Sequence, residues 1–288
     1  MNSTSTPFRA TWHPHHELAP MTFDLVRVGR NADGGYLVPR KVLADLTGCL
    51  SFGLGADWSF EKHLVRTYNG LIDPKNVVVF DASISVFGLL RSIVYMGRRT
   101  LYEIRIGRKS SERKFRFEDL NLSLKALVRY LPDFRFRKFR FCHIRKFVVS
   151  KPNKKNEISF QQALSYRLDP ERTIVKIDIE GGEWDLFQRR EDVFLISRAP
   201  ALIIEFHVIS RPEFLRLNEW LREHFWIAHL HGNTSQKCTE EGMPLNLEVT
   251  FVNKRFSPDG GLRRRLPIAD LDFPGRNGEL QYEIVFNS

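Results

Sequence analysis

Short apolar runs recur along the chain, and most are separated by stretches whose apolar residues return every three or four positions. Runs of four to seven β-branched and aromatic residues are typical of buried strands, whereas the longer period is typical of amphipathic helices. The pattern predicts strands over residues 49–52, 77–80, 144–149, 174–179, 201–207, 226–231 and 247–252. It predicts helices that begin near Ser59 and span residues 85–97 and 159–166, and a further helix that a capping box at Ser210-Arg-Pro-Glu213 would begin and that reaches about His224.

This alternation predicts an α/β, doubly wound fold with a mostly parallel sheet and helices on both faces. Residues 1–20 are rich in Ser, Thr, Pro and His, and we expect a flexible arm there. Residues 21–255 would form the main domain, with a basic insertion near 98–150. Residues 256–288 are rich in Pro and Gly and would pack on the domain as a tail.

The composition excludes several classes of protein. Of the 288 residues, 42% are hydrophobic and 12% aromatic, which supports a packed core. No apolar run reaches membrane-spanning length, and the stretch 86–96 is interrupted by Arg91. The amino terminus lacks the apolar segment of a secretory signal, so we expect a cytoplasmic protein. Three scattered cysteines without a CxxC pair predict neither a disulfide framework nor a cysteine zinc site.

The net charge of +10 is unevenly distributed. Residues 91–155 contain 20 Lys and Arg against 5 Asp and Glu, a difference of +15. Such a segment attracts nucleic acid, an acidic glycan, a phospholipid surface or a nucleotide-linked substrate. The alternative is a solvated face on an insertion. Residues 134–141 alternate aromatic and cationic side chains, which favours a half-buried strand over a platform that stacks nucleic-acid bases.

Polar side chains follow the predicted central strands. Asp178 and Glu180 come at the end of the 174–179 run, Glu205 and His207 end the next strand, and His231 ends the one after. In open α/β sheets, ligands bind outside the carboxyl ends of the strands. The alternative is a polar turn whose acids favour the amino terminus of the following helix.

A glycine loop precedes these elements. Gly53 and Gly55 follow the 49–52 strand, and Asp81 ends the next strand 28 residues after Gly53. A strand, a Gly-x-Gly turn, a helix and a strand ending in an acid are typical of nucleotide-binding folds, in which the carboxylate accepts hydrogen bonds from a ribose diol. Upstream, residues 31–35 are typical of a hairpin turn, or of a pocket wall that presents Arg30, Asp33 and Tyr36.

The segment Lys176-Ile-Asp-Ile-Glu-Gly-Gly-Glu183 resembles the hallmark of the FkbM-type methyltransferases, a branch of the S-adenosylmethionine-dependent enzymes. The resemblance spans roughly residues 25–275. Supporting motifs occur in the expected order: Gly29-Arg-Asn-Ala-Asp-Gly-Gly-Tyr36, Ser51-Phe-Gly-Leu-Gly55, Trp58-Ser-Phe-Glu61, Phe80-Asp81, Ile204-Glu-Phe-His207, His229-Leu-His-Gly-Asn233 and Glu248-Val-Thr-Phe251.

The resemblance implies a seven-stranded class I methyltransferase sheet of the Rossmann-like type, with one antiparallel strand near the carboxyl end. It also implies S-adenosyl-L-methionine as cofactor, bound by Gly53, Gly55, Asp81 and Asp178. Such enzymes often have an acid where this chain has Ser51. We therefore expect Glu61 to contact the amino-acid end of the cofactor instead.

Methyl transfer is an in-line displacement, and an alcohol acceptor needs a base or a metal. We expect Asp178, His207 and His231 to be catalytic. Asp178 and Glu205 would hold Mg²⁺ if the enzyme uses a metal, and His207 or His231 would be the base if it does not. The expected substrate contacts are Arg30, Asp33, Tyr36, Glu180 and Glu205.

The leading hypothesis is O-methylation of a sugar hydroxyl on a glycan or a secondary metabolite, with a small-molecule or glycan acceptor that is anionic. One alternative is an RNA or protein methyltransferase that uses the basic segment. The other is a non-catalytic binding protein on a methyltransferase fold, which the serine at position 51 keeps open.

Overall fold

The computed structural model describes residues 8–67, 72–105, 110–131, 133–134, 141–234, 238–276 and 279–286. Its strands are β1 (Ala10–Trp12), β2 (Met21–Thr22), β3 (Leu25–Val28), β4 (Tyr36–Pro39), β5 (Gly48–Phe52), β6 (Val77–Phe80), β7 (Cys142–Ile144), β8 (Phe147–Val149), β9 (Glu157–Ser159), β10 (Thr173–Ile177), β11 (Ala201–His207), β12 (Phe225–Gly232), β13 (Asn246–Asn253), β14 (Gly260–Leu262), β15 (Arg265–Leu266) and β16 (Tyr282–Val285).

The helices are α1 (Arg40–Leu43), α2 (Ser59–Thr67), α3 (Val86–Arg105), α4 (Ser110–Leu131), α5 (Phe160–Leu164), α6 (Glu183–Leu186), α7 (Arg190–Phe194) and α8 (Pro212–His224). Two short 3-10 helices cover His16–Leu18 and Pro74–Asn76. None of the helices in the described ranges is long and apolar enough to cross a membrane.

Seven strands form the central sheet, in the order β12-β13-β11-β10-β5-β6-β7. Strand β13 runs antiparallel to both of its neighbours, and the other six strands are parallel to one another. The predicted seven-stranded, mostly parallel sheet with one antiparallel strand near the carboxyl end is therefore confirmed. Two separate hydrophobic cores cover the two faces of this sheet, as a doubly wound fold requires.

The chain leaves β5 in one direction, towards β6 and β7, and leaves β10 in the other, towards β11. The boundary between β5 and β10 is therefore the topological switch point of the sheet. In open α/β sheets the ligand crevice lies at such a point, outside the carboxyl ends of the strands.

Some predicted elements differ from those observed. The strand expected over 144–149 is divided, because Lys146 turns back to donate a hydrogen bond to the Ile144 carbonyl, and β7 and β8 join different sheets. The helix expected over 85–97 continues to Arg105. The strand expected over 134–141 falls mostly outside the described residues.

The segment expected to be a flexible arm is folded from Phe8 onwards. Strand β1 pairs in parallel with β16 from the carboxyl-terminal tail, and Trp12 and Leu18 are buried in the core. The tail is also attached through Asp272, whose carboxylate lies 3.1 Å from Nε2 of His229 on β12. Strand β1 has only three residues, which is too short for a periodic pattern to predict it.

Candidate active site at the β5–β10 switch point

Strands β5 and β10 end side by side at the switch point. The Asp178 amide donates a hydrogen bond of 2.9 Å to the Phe52 carbonyl. Gly53 has a φ of +81°, and a Cβ there would lie 1.6 Å from the Asp178 carbonyl oxygen. The left-handed backbone and this close approach both exclude a side chain at position 53.

Asp81, at the end of β6, holds the glycine loop. Its Oδ2 accepts hydrogen bonds from the Leu54 amide at 2.9 Å and the Gly55 amide at 3.2 Å. Its Oδ1 accepts hydrogen bonds from the amide and the hydroxyl of Ser83, at 2.7 Å and 2.6 Å. The carboxylate is buried and fixes the loop before any ligand arrives.

The glycine loop has open space for a nucleoside-type cofactor at Gly55, but a hydrogen bond to Asp81 would have to be replaced. Gly55 has a φ of +58°, and no heavy atom lies within 4 Å of the position that its Cβ would take. That open space permits close approach of a ligand to the backbone. The Asp81 oxygens already accept hydrogen bonds, so a ribose hydroxyl would have to replace the Ser83 hydroxyl as a donor to Oδ1.

Position 51 is a serine, and helix α2 supplies a carboxylate next to it, that of Glu61. Ser51 donates a hydrogen bond of 2.7 Å to Oε1 of Glu61, and both side chains are buried. Burial raises the pKa of Glu61, and the Lys176 ammonium opposes that rise. Glu61 therefore lies within a buried polar network, whereas the sequence led us to expect it in contact with the cofactor.

Lys176 is the buried cation of this network. Its Nζ lies 3.3 Å from Oδ2 of Asp178, and the side chain is 4% exposed. Burial by itself would lower the pKa of Lys176, but the carboxylates of Asp178 and Glu61 raise it above its ordinary value. The Tyr36 hydroxyl donates a further hydrogen bond of 3.5 Å to Asp178 Oδ2. The sequence signal for Lys176 was a single charge inside an apolar strand.

Three carboxyl groups meet next to this network, and we call them the carboxylate cluster: Asp33, Glu205 and Glu248. Glu205 and Glu248 are register partners on β11 and β13, and Asp33 comes from the loop between β3 and β4. One carboxyl oxygen of each residue lies within 4.8 Å of those of the other two. The sequence analysis placed Glu248 in a supporting motif but gave it no role in the site, because only the antiparallel pairing of β13 brings it here.

Glu205 and Glu248 each contact one further polar side chain. Asn233 donates a hydrogen bond of 2.8 Å to Oε1 of Glu205. His231, the register partner of Glu248 on β12, has its Nδ1 3.3 Å from Glu248 Oε2. Burial alone would lower the pKa of His231, but Glu248 raises it. The predicted catalytic His231 therefore contacts the cluster through Glu248.

Residues 29–35 form the loop that brings Asp33 to the cluster. Arg27 donates hydrogen bonds of 2.8 Å to the carbonyls of Arg30 and Ala32, and one of 3.0 Å to the Leu271 carbonyl in the tail. The Asp33 amide donates to the Gly275 carbonyl at 3.1 Å. The loop is thus a pocket wall that both the hairpin and the tail hold in place.

Two carboxyl groups of the cluster, those of Asp33 and Glu205, have a raised pKa. Asp33 is exposed as a residue, and one of its carboxyl oxygens lies within 4.8 Å of oxygens of the other two. Loss of hydration and the carboxylates of Glu248 and Asp178 raise the pKa of Asp33 to about 7. Burial raises the pKa of Glu205 well above its ordinary value, with Asp178 and Glu248 adding to the effect. At neutral pH the cluster therefore retains protons.

His207 forms a second group on the other side of Glu205. Its Nδ1 lies 3.2 Å from Glu183 Oε1, and its Nε2 lies 3.4 Å from Glu180 Oε2. Burial alone would lower the pKa of His207, but these two carboxylates raise it to about 11. His207 is thus a cation at neutral pH. This argues against the expectation that it is a neutral base.

The backbone is strained on both sides of His207. Glu180 and Val208 have φ values of +54° and +59°, in the left-handed region that non-glycine residues rarely adopt. Such strain is concentrated at functional sites, where the surrounding structure enforces it.

Asp178 and Glu205, the predicted pair of Mg²⁺ ligands, belong to different groups of potential ligands. Within the described ranges, Asp178 groups with Glu180 and His207, whereas Glu205 groups with Asp33 and Glu248. The His207 nitrogens face carboxylates, so that group is already charge-paired. The carboxylate cluster offers only oxygen ligands, which is the donor set that Mg²⁺ prefers.

A basic cleft lies behind the 29–35 loop, between α2 and α4, and has a volume of about 450 Å³. Its floor includes Ala56 and Trp58 from the segment that follows the glycine loop. Arg30 lies 3.3 Å from Asp57 there, and Lys62 lies 2.7 Å from Asp133. The cations that line this basic cleft are Arg30, Lys62, Arg66, Lys125 and Arg129.

No protein-family model and no curated protein matches the chain. Among solved structures, it is similar to Sp1610 of Streptococcus pneumoniae, described as a candidate tRNA (m1A22) methyltransferase and solved in complex with S-adenosyl-L-methionine. The two chains are 12% identical, the match covers 80% of this chain and 75% of that one, and the TM-score is 0.31. A TM-score this low supports no conclusion, so the fold assignment depends on the observed strand order and register.

Proposed function

We propose that this chain is an S-adenosyl-L-methionine-dependent methyltransferase. The observation that carries the proposal is the meeting of Gly53 and Asp178 at the switch point, next to a glycine loop that Asp81 holds. A glycine loop, an acid at the end of the adjacent strand and a carboxylate across the crevice are what a nucleoside cofactor needs at this position in an α/β sheet. The cofactor would supply an electrophilic methyl group on a sulfonium.

We assign binding roles to the residues that line this crevice. Gly55 would give the cofactor access to the loop backbone, and Asp81 would exchange its bond with Ser83 for one with a ribose hydroxyl. Asp178, held by Lys176 and Tyr36, would orient the cofactor or the acceptor at the end of β10. Fixing the side chain in this way reduces the reorganisation needed in the transition state.

The carboxylate cluster favours a hydroxyl acceptor over an amine. An alcohol must lose its proton during transfer, whereas a neutral amine needs no base. Asp33, with a pKa of about 7, is divided between acid and carboxylate near neutral pH, which is where a general base is most effective. Glu205 and Glu248 would share the proton that Asp33 accepts.

We further propose that the acceptor is a sugar hydroxyl on a glycan or a secondary metabolite, and that the acceptor is anionic. The basic cleft supports this, because Arg30 in its wall belongs to the same 29–35 loop as Asp33. An acceptor with a phosphate or carboxylate could bind its anion in the basic cleft and direct its hydroxyl to the carboxylate cluster.

Calorimetry with S-adenosyl-L-methionine tests the cofactor directly. We expect binding by the wild-type chain and at least a roughly tenfold weaker Kd for Gly55→Val, because the side chain would occupy the open space at the loop. Gly261→Val is the control for a valine in open space, and the melt below accounts for the left-handed backbone, which Gly55 has and Gly261 does not. A thermal melt of both variants separates lost binding from lost folding. Absence of binding by the wild type would contradict the proposal.

Transfer of a labelled methyl group distinguishes the acceptors. Incubation with acidic polysaccharides, sugar nucleotides and RNA should label a carbohydrate fraction and not RNA. Labelled RNA would favour the RNA methyltransferase alternative, which the basic segment motivates. Repeating the assay with a chelator and then with added Mg²⁺ tests the metal. Activity that survives chelation supports proton transfer to Asp33, and activity that only Mg²⁺ restores supports a metal in the carboxylate cluster.

A further inference from the structure

Helix α3 carries large apolar side chains on its outer face as well as its inner one. Inward, Leu89 and Thr100 are buried. Outward, Phe87 is 77% exposed, Val94 53% and Leu101 68%. These three are spaced by seven residues, or two helical turns, so they form one line along the helix. Because its apolar residues occur on two faces, α3 has a second surface that its packing against the protein does not use.

Helix α4 packs on the opposite side of α3, because Met96, nine residues from Phe87, faces away from this line. The two helices pack against each other, and Ser123 of α4 donates a hydrogen bond of 3.6 Å to the sulfur of Met96 on α3. On α4, Phe117, Leu124 and Val128 are exposed at spacings of seven and four residues. We call the exposed apolar residues of α3 the apolar stripe: Phe87, Leu90, Val94, Leu101 and Ile104.

Arginines and tyrosines alternate with the apolar stripe on α3. The helix contains four arginines and a single acid, Glu103, and all four arginines are exposed. Tyr95 and Tyr102 are each more than 60% exposed, and Arg99 donates a hydrogen bond of 3.3 Å to the Tyr95 hydroxyl. Interfacial membrane helices have this composition: an apolar face that aromatic residues and cations border.

Exposed apolar side chains and arginines occur together on α3, and this combination fits an anionic membrane better than nucleic acid or a second copy of the chain. Nucleic acid would satisfy the arginines but would leave the exposed leucine, isoleucine and valine side chains without a matching surface. A second copy of the chain could cover the apolar stripe, but a two-fold pairing along α3 would bring the arginines of both helices together. A bilayer that contains anionic lipid satisfies both groups, because acyl chains accept apolar residues while headgroup phosphates accept the arginines.

We propose that the outer face of α3 binds the surface of an anionic membrane. Phe87, Val94 and Leu101 would lie at the boundary between headgroups and acyl chains. Arg91, Arg98 and Arg99 would contact the phosphates. This interaction does not depend on methyl transfer, and neither helix would cross the bilayer.

Co-sedimentation with lipid vesicles tests the inference. We expect the full chain to bind phosphatidylcholine vesicles with about 30 mol% phosphatidylserine, and pure phosphatidylcholine much more weakly. The double variant Phe87→Ser/Leu101→Ser should lower partitioning roughly tenfold or more, since two large side chains no longer leave water. The matched control is Phe194→Ser/Leu168→Ser, whose side chains are 70% and 78% exposed elsewhere on the surface. It should change partitioning less than about twofold.

A charge variant measures how much of the binding comes from attraction between the arginines and the anionic headgroups. Arg98→Glu/Arg99→Glu should weaken binding to the anionic vesicles by roughly fivefold or more per arginine, with the far-ultraviolet circular dichroism unchanged. Failure of the wild type to bind anionic vesicles near physiological salt would overturn the proposal. So would binding that Phe87→Ser/Leu101→Ser leaves intact, or a dimer in sedimentation velocity that the same variant converts to a monomer.

Discussion

Gly53 and Asp178 are in contact across the β5–β10 switch point, where a Cβ on the glycine would lie 1.6 Å from the aspartate carbonyl oxygen. The two residues are distant in sequence, yet parallel pairing puts the ends of their strands next to each other. Because the glycine has no side chain, the glycine loop and the β10 carboxylate can form one crevice.

We predict that Gly53→Ala lowers the free energy of unfolding by more than about 3 kcal/mol, since the backbone of β10 would have to move. Gly55→Ala should cost only about 1 kcal/mol, from the left-handed backbone alone. Gly97→Ala, in α3 and with open space around it, should raise stability by up to about 1 kcal/mol. Urea unfolding measures all three. Similar values for Gly53→Ala and Gly55→Ala would contradict the close contact.

Asp178→Asn should abolish methyl transfer, because the variant removes the carboxylate that Lys176 and Tyr36 hold at the crevice. Lys176 would keep the nearby Glu61 carboxylate as a counter-charge, so the chain should still fold. The stability loss should be about 1–3 kcal/mol, from a weakened buried ion pair. Asp24→Asn is the control, because that carboxylate forms an exposed ion pair with Arg40. Retained transfer in Asp178→Asn would refute the assigned role.

His207 should make stability fall as the pH rises. Its pKa increases from an ordinary 6.5 to about 11 on folding, so the folded chain binds the extra proton between these values. The stabilisation is complete below about pH 6.5 and is lost as the pH rises through about 11. His207→Gln should therefore be most destabilising near about pH 6, and its deficit should shrink towards about pH 9.5. Denaturant midpoints measure this, with His13→Gln as an exposed control.

Ionised Asp33 should lower the stability of the folded chain at neutral pH and above. The pKa of Asp33 rises from 3.8 to about 7 on folding, so the folded chain holds this proton more tightly than the unfolded chain. The stabilisation by the bound proton is fully present below about pH 3.8, and it is lost as the pH rises to about 7. Asp33→Asn should match the wild type near about pH 4 and be more stable at about pH 8. The same variant should lower kcat by roughly a hundredfold or more if Asp33 is the base.

The pH dependence of kcat provides a second measurement for Asp33. The wild-type rate should increase with pH through about 7, and Asp33→Asn should lose that inflection. Asp270→Asn is the control, because it changes an exposed carboxylate away from the carboxylate cluster. A variant that keeps both the rate and the inflection would show that another group accepts the proton.

The central sheet could be predicted because its strands are buried on both faces and therefore appear as continuous apolar runs. The acids at strand ends and the Gly53-x-Gly55 turn were predicted to lie at one edge of the sheet, and they do, since parallel strands end together. The short strands β1, β15 and β16 were missed. Their two to four residues pair only because the two chain ends meet, and no local pattern encodes that meeting.

The sequence by itself determined the alternation of strands and helices, the glycine loop and the strand-end acids, because local periodicity and backbone freedom specify them. Tertiary structure alone decided what each charge faces. It brought Asp33 to Glu205 and Glu248, enclosed Glu61 with Lys176, surrounded His207 with two carboxylates and turned an apolar line of α3 outwards. A pKa and a contact depend on groups that lie far apart in the chain, and only the folded structure brings those groups together.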